Sequence, residues 1–416
     1  MTAEIAIINQ HGIAIAADSA VTIGKDRVWK STNKVFSLGP KHDIVVMIYG
    51  GASYSSYPWE TVVKSFKHEY CDIDFESVEE CVNALKAYLH LPIWEDKLQS
   101  ELCILGLVIK EISELRDVTK SDSKAEFRKL CKAALTEWSS TARDSERVLV
   151  NVKKEDFLKE FRKEIDQYRA EYFTEHFPKY LSDLLDDYLY EYVTRANCES
   201  GSETGIVVSG FGKSEFHPQL HEFFVDGRYG EHVRCWDGRI SRYAITPTHP
   251  AQIIPFAQKD MTNLFMEGLS PAYLGYINGI VSELLERRMD DVLASFQGSA
   301  DAKLVERKLQ ERINSEIFSR IGADVEKFRD RFFIHPLMAN VRNLPREEMA
   351  AMAEALVELT SLRRKIDSTL QSVAGPVDVV FISKADGVVW IKRKHYFDPK
   401  LNREFLQRRP VKGEER

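Results

Sequence analysis

The sequence predicts an α+β fold, with sheets built from hairpins, covered by helices and interrupted by two large helical insertions. Strand-like runs bounded by turn residues occur at the start, in the middle and at the end of the chain. The stretches between them carry apolar residues at three- and four-residue spacing, the mark of amphipathic helices. No internal repeat or long polar linker cuts the 416 residues cleanly. A chain of this length suits two domains or one fold with large insertions.

The first fifty residues read as strands. Residues 4–9 are rich in Ile, and Gln10-His11-Gly12 is a turn signal. Residues 13–17, 33–38 and 44–49 follow as strands, the last apolar throughout, as in a strand buried on both faces. Gly50-Gly51 ends it. Val78–Leu89 has helical periodicity. From about 125 to 193 two apolar stripes recur, Phe157, Phe161, Ile165, Tyr168 and Tyr172, then Leu181 to Tyr192. Stripes of this kind are core seams or helix–helix contacts. Strands return at 205–211, 220–225 and 231–236. A helical stretch from about 258 to 367 is broken near Pro336, near Asn343-Leu344-Pro345 and at the Gly-Ser pair 298–299. A closing hairpin joins 377–383 to 388–394 through Asp386-Gly387.

Bulk chemistry narrows the function classes. Hydrophobic residues make up 44% and charged residues 29%, ordinary for a globular protein. A net charge of -7 argues against non-specific nucleic-acid binding. The six cysteines are scattered, with no Cys-x-x-Cys pair and no zinc-ligand spacing. They read as free thiols of a reducing compartment. Nothing at the N-terminus resembles a secretory signal and no apolar run spans a membrane, so a cytoplasmic location is expected.

Strand pairing alone gathers a candidate site. Residues symmetric about the Gln10-His11 turn face each other, so Thr2 lies across from Asp18 or Ser19. The next connection returns Lys34 beside Asp18. A hydroxyl at the chain terminus, a carboxylate and a lysine then converge. Thr2 follows Met1 and is small enough for the initiator methionine to be removed. It then carries a hydroxyl and a free α-amine of ordinary pKa about 7.7–8.0, a general base near cellular pH. Asp18 would keep Lys34 charged, and that charge would disfavour protonation of the amine and stabilise the alkoxide. Backbone N–H groups at the Gly50-Gly51 turn would form an oxyanion hole.

The segment 2–52 resembles the start of proteasome β-subunits and their bacterial homologues, N-terminal nucleophile (Ntn) hydrolases. Gly12-Ile-Ala-Ile-Ala-Ala-Asp18-Ser19 is similar to the family's Gly-(apolar)3-Ala-Ala-Asp-Ser stretch. Asn33-Lys34-Val35 matches the catalytic-lysine segment, and Tyr49-Gly50-Gly51-Ala52 the oxyanion turn, with two extra residues before the glycines. The resemblance implies a four-layer αββα sandwich. Its discontinuous core would take residues 1–95, 203–257 and 373–396. A helical insertion would fill 96–202, helices with a second insertion 258–372, and a tail 397–416. It implies Thr2 as nucleophile, Asp18 and Lys34 as its supports, and the Gly50 amide as oxyanion donor. Val21, Thr32, Ile48 and Ala52 would line a moderately sized apolar specificity pocket.

The family's Gly-Ser-Gly step has no counterpart, since the corresponding stretch reads Ile254-Pro255-Phe256-Ala257. The activity so implied is that of a cytoplasmic threonine peptidase, without cofactor or metal, acting on peptides or unfolded protein as a homo-oligomer. There is no Gly-x-x-x-x-Gly-Lys-Ser/Thr, so a separate ATPase would supply any unfolding. Neither nucleic acid nor membrane is an expected partner. Two alternatives stay open: a small-molecule amidase, and a scaffold that has lost the chemistry.

Overall fold

A computed structural model describes residues 3–23, 27–29, 32–121, 123–173, 177–196, 203–238, 242–294, 318–367 and 375–395. In chain order, the first strands are β1 (Ala3–Asn9), β2 (Gly12–Ala17), β3 (Val21–Ile23), β4 (Arg27–Trp29), β5 (Val35–Ser37) and β6 (Asp43–Gly50). Two short ones, β7 (Ser53–Tyr54) and β8 (Tyr57–Pro58), lead into helices α1 (Trp59–Tyr70) and α2 (Val78–Leu89). Four helices follow: α3 (Lys97–Val118), α4 (Lys124–Arg143), α5 (Lys154–Tyr172) and α6 (Lys179–Thr194). Then come β9 (Thr204–Phe211), β10 (Gln219–Tyr229), β11 (His232–Asp237), β12 (Tyr243–Ala244) and β13 (Gln252–Ala257). The last helices are α7 (Asp260–Glu267), α8 (Pro271–Ala294), α9 (Phe318–Arg329), α10 (His335–Val341) and α11 (Arg346–Asp367), before β14 (Asp378–Ser383) and β15 (Gly387–Lys392). The fold is α+β with antiparallel pairing wherever register is defined.

The described residues fall into two compact units. The first draws on Met1–Thr32, Ile245–Phe381 and Val389–Pro410, the second on Asn33–Ala244 and Ile382–Val388.

The first unit is built on a sheet of order β13-β1-β2-β14-β15. Its first hairpin runs in register from Asn9↔Gly12 to Glu4↔Ala17. β1 is buried along its whole length, as its β-branched Ile residues require. Ala3, Ile5 and Ile7 of β1 and Ala14 and Ala16 of β2 pack with Met349, Ala350, Ala353 and Val357 of α11. The alanines on the sheet let the helix approach closely. Each buried Ile or Val contributes about 1.5–3 kcal/mol.

β13 was not legible as a strand because Pro255 lies inside it. It occupies the sheet edge, where a missing N–H is tolerated. Pro336 does not break its helix either. It sits at the first turn of α10, where its N–H is not needed, after a π-helical turn at Asp330–Ile334. The expected break at 298–299 lies outside the described residues.

The second unit holds a six-stranded sheet, β11-β10-β9-β6-β5 with β12 paired to β10. α1 and α2 cover it through Trp59, Val62, Phe66, Val78 and Leu85, packed with Val46, Ile48, Ile206 and Phe223. Ser77 caps α2 by accepting from the Glu80 amide at 3.1 Å. Helices α3 to α6 have a core of their own, with Ile104, Val108, Ile112, Phe157, Leu185 and Leu189 at its centre. The fully buried pair Arg234–Asp226 joins this bundle to the sheet, since Arg234 Nε donates to Val193 O at 2.9 Å. Among the described residues, no helix is long and apolar enough to cross a membrane.

Candidate active site

In the first unit, the end of β2 brings Asp18 against the start of β1. The Asp18 amide donates to Ala3 O at 3.1 Å, continuing the hairpin register. The side chain closes the pair in the other direction, its Oδ1 accepting from the Ala3 amide at 3.2 Å. Its second oxygen accepts from the Ala20 amide, also at 3.2 Å. Asp18 is 1% exposed. A buried carboxylate is stable only when its oxygens are bonded, and here two backbone N–H groups do that. One of them is the peptide nitrogen that follows residue 2. Thr2 itself lies outside the described residues.

Neighbouring groups fix this corner. Ser19 Oγ donates to Pro376 O at 2.5 Å, and Ser19 O accepts from the Thr32 amide at 3.1 Å. Asp18, Ser19 and Thr32 are thus gathered within the first unit. Val21 pairs with Trp29 in the β3–β4 hairpin, and its side chain lies outside the described residues.

The second unit carries Lys34, Ile48, Gly50 and Ala52. Lys34 is 3% exposed and stands just ahead of β5, where its carbonyl accepts from the Ile48 amide at 2.9 Å. Ile48 is part of the core under α1 and α2. Gly50 has φ +86°, and a Cβ there would stand 2.5 Å from Glu203 O. Only glycine fits that conformation and that space. The Gly51 amide donates to Glu203 O at 3.1 Å, toward β9. Strand alternation therefore turns the Gly50 N–H to the opposite side of β6, the side on which Ile48 meets Lys34.

A cavity of about 650 Å³ adjoins the glycine turn within the second unit. Gly51 and Ala52 line one side, Ser100, Gly106 and Lys110 of α3 another, and Arg228 of β10 a third. Cys103 also lines it. Burial, then the Asp226 charge, pushes its thiol up to about 11, so it is protonated at neutral pH and no nucleophile. Burial pushes Cys235 up to about 12, with the same consequence.

Three features escaped the sequence reading. Glu4 is fully buried in β1, on the face opposite Ala3, Ile5 and Ile7. A charged residue inside an Ile-rich run was the signal. Ala257, which pairs with Ala3, has φ +55°, and the next residue, Gln258, has a buried Oε1 without a hydrogen-bond partner among the described residues. The wall that α3 gives the cavity had no local signal at all.

No protein-family model matches the chain, and no curated protein matches it. Among solved structures it is similar to the Anbu complex of Pseudomonas aeruginosa, solved as a helical assembly. Identity is 11% and TM-score 0.34, over 98% of this chain and 97% of that one. Anbu (ancestral beta-subunit) from Yersinia bercovieri matches at 11% identity and TM-score 0.32, over 97% of this chain and 94% of that one. A Gly-1 mutant of Anbu from Hyphomicrobium sp. strain MC1 matches at 9% identity and TM-score 0.34, over 98% and 94%. These findings correct the resemblance to proteasome β-subunits and their bacterial homologues drawn from the first fifty residues. The similar structures are those of Anbu, a distinct family, and likeness at this level places the chain in no family. The motifs behind that resemblance are short strand ends and glycine turns, which many sheets share.

Proposed function

We propose that the chain hydrolyses amide bonds in peptides, with Thr2 as nucleophile once Met1 is removed. One observation carries the proposal: a carboxylate 1% exposed, Asp18, holds the very amide that joins residue 2 to Ala3. That is a costly way to fix a chain terminus unless the terminus must be placed accurately.

The chemistry follows from the groups at hand. The free α-amine of Thr2 takes the hydroxyl proton, and Oγ1 attacks the substrate carbonyl carbon. The amine returns the proton to the leaving nitrogen, the C–N bond breaks, and an ester to Thr2 remains. Water, deprotonated by the same amine, adds to the ester and releases the acid. On this proposal the Gly50 N–H receives the oxyanion, a donor of a kind worth about 2.7–4 kcal/mol. Lys34 supplies the positive charge that favours the neutral amine. Exposed apolar side chains on the later helices, Tyr276, Leu284, Phe328 and Phe332, support self-association as a homo-oligomer.

The test is the intact mass of untagged protein before and after a threonine-reactive β-lactone. Loss of Met1 and a single adduct on Thr2 are expected, and Thr2→Ala should give none. A retained Met1, or an adduct that survives Thr2→Ala, removes the proposal. An adduct without cleavage of any peptide redirects it to small-molecule amides.

A further inference from the structure

The strand that carries the Gly50 turn is tied down at its last rungs by side chains on both faces of the sheet. β6 ends at Gly50 and β9 begins at Thr204, so the pairs Tyr49↔Gly205 and Gly50↔Thr204 close that end of the ladder. Rungs at a strand end open more easily than those inside it. Here each has a side-chain bond of its own. On the face covered by α1, Trp59 Nε1 donates to Thr204 Oγ1 at 2.9 Å, and both residues are buried. Tyr49 alternates with Ile48 and so lies on the opposite face. There its hydroxyl donates to Glu222 Oε1 of β10 at 2.5 Å.

The reach from β6 to β10 depends on the strand between them. β9 separates the two, so the tyrosine ring has to lie across it. Gly205 is the residue beneath the ring, and a Cβ there would overlap the ring carbons of Tyr49. Phe224, which pairs with Gly205 from β10, meets the ring edge-on, with 6.1 Å between centroids and 85° between planes. Glu222 is 4% exposed. Burying a carboxylate costs desolvation, and a hydroxyl donating to it makes one of the stronger hydrogen bonds available to offset that cost.

We infer that Tyr49, held by Glu222, is a positioning residue for the oxyanion donor. The inference deepens the proposed function and rests on the Gly50 N–H as that donor. The peptide plane that carries this N–H runs from the Tyr49 Cα to the Gly50 Cα. The Tyr49 ring, anchored on β10, fixes the first end. β9 fixes the second, through the Gly50↔Thr204 pairing and the Gly51 amide, which donates to Glu203 O at 3.1 Å. A donor set in advance needs no reorganisation as charge develops on the substrate oxygen, and that is when such donors are worth most. The Tyr49–Glu222 bond thus sits on the residue whose carbonyl carbon bears the Gly50 nitrogen, where a positioning role needs it.

The experiment compares two probes of Thr2 on the untagged full-length chain. Attack on a β-lactone puts negative charge on a carbonyl oxygen. Addition to a peptide vinyl sulfone puts it on carbon and makes no carbonyl oxyanion. Tyr49→Phe keeps the ring and loses the hydroxyl. The ratio of its β-lactone rate to its vinyl sulfone rate, both at saturation, should fall about tenfold, against the roughly hundredfold or more that losing a whole donor costs. The half-saturating β-lactone concentration should stay that of the parent. Glu222→Leu should match it, and Glu222→Gln, which keeps a neutral acceptor, should fall between it and the parent. Gly205→Ala evicts the ring with both partners intact, and supplies the same reading should Tyr49→Phe fail to fold. Equal slowing of both probes, as general loosening of the fold gives, or an unchanged β-lactone rate overturns the inference alone. A parent that reacts with neither probe removes the nucleophile, and this inference with it.

Discussion

Replacing Asp18 by alanine removes both acceptors that hold the start of β1. Its oxygens take the Ala3 and Ala20 amides at 3.2 Å each, and the residue is 1% exposed, so water does not replace them. Each buried N–H left unsatisfied costs about 1–3 kcal/mol, which gives about 2–6 kcal/mol for the pair. Asparagine is the informative control. It keeps the shape but offers one carbonyl oxygen, so one of the two amides meets an –NH2 instead, at about half that cost. Hydrogen exchange followed by mass spectrometry reads the effect locally. At about 1.4 kcal/mol per factor of ten, amides in residues 3–20 should lose protection roughly thirtyfold or more in Asp18→Ala. Adduct formation at Thr2 should fall in parallel, with Asp18→Asn between the two. Unchanged exchange would refute the packing argument. Faster exchange with an unchanged adduct rate would refute the claim that Asp18 serves the terminus chemically.

Gly50→Ala should destabilise the second unit by about 1–3 kcal/mol through its left-handed backbone, with more from a Cβ 2.5 Å from Glu203 O. Urea titration measures this, and adduct formation should drop with it. Lys34→Met keeps the aliphatic length of a residue 3% exposed, so the fold should survive while acylation falls about a hundredfold, read by adduct kinetics. Burial, followed by the Arg242 charge, holds His221 below its ordinary 6.5. The unfolded chain then binds the proton first, so stability is full above about pH 6.5 and is lost as pH falls through the folded pKa. His221→Gln should flatten the thermal midpoint between pH 7.5 and 5.5 relative to the parent.

The hairpins were legible because their signals are local. Ile-rich β1, the Gln10-His11 turn and the alanine-rich β2 specify strand, turn and register within fifteen residues of one another. That register also sets Asp18 beside the start of β1, where it bonds to Ala3. α2 was legible from end to end for the same reason, with Ser77 as its cap. α3 was not read as a helix of its own. Its buried stripe, Ile104, Leu107, Ile112 and Leu115, is blurred by Leu98, Leu102 and Val118, which are exposed. β13 was hidden by Pro255, since only its place at the sheet edge makes proline acceptable there. No local pattern states that residues 252–257 pair with β1, or that α3 closes a cavity with β10. Such contacts follow from chain topology, which propensity and spacing do not encode.

Where physical rules are broken is where function is most economically sought. Most of the first unit obeys them: Ile, Val and Ala fill the sheet, and α11 covers it with Met, Ala, Leu and Val. Glu4 and Asp18 do not. Both carboxylates are at most 1% exposed, Glu4 inside β1 and Asp18 just past the end of β2. Burying a carboxylate costs desolvation that bonded partners must offset, so each of the two fixes what surrounds it. Ala257 breaks a second rule, since a residue with a Cβ stands at φ +55° where it pairs with Ala3. Three departures of different kinds, buried charge, positive φ and the orphan acceptor on Gln258, thus surround the first described residue of the chain. A structural explanation would need a separate cause for each. The proposed reactive terminus, which must be held, charged and oriented, would supply one cause for all three, and it is the reason Thr2 is the residue to test.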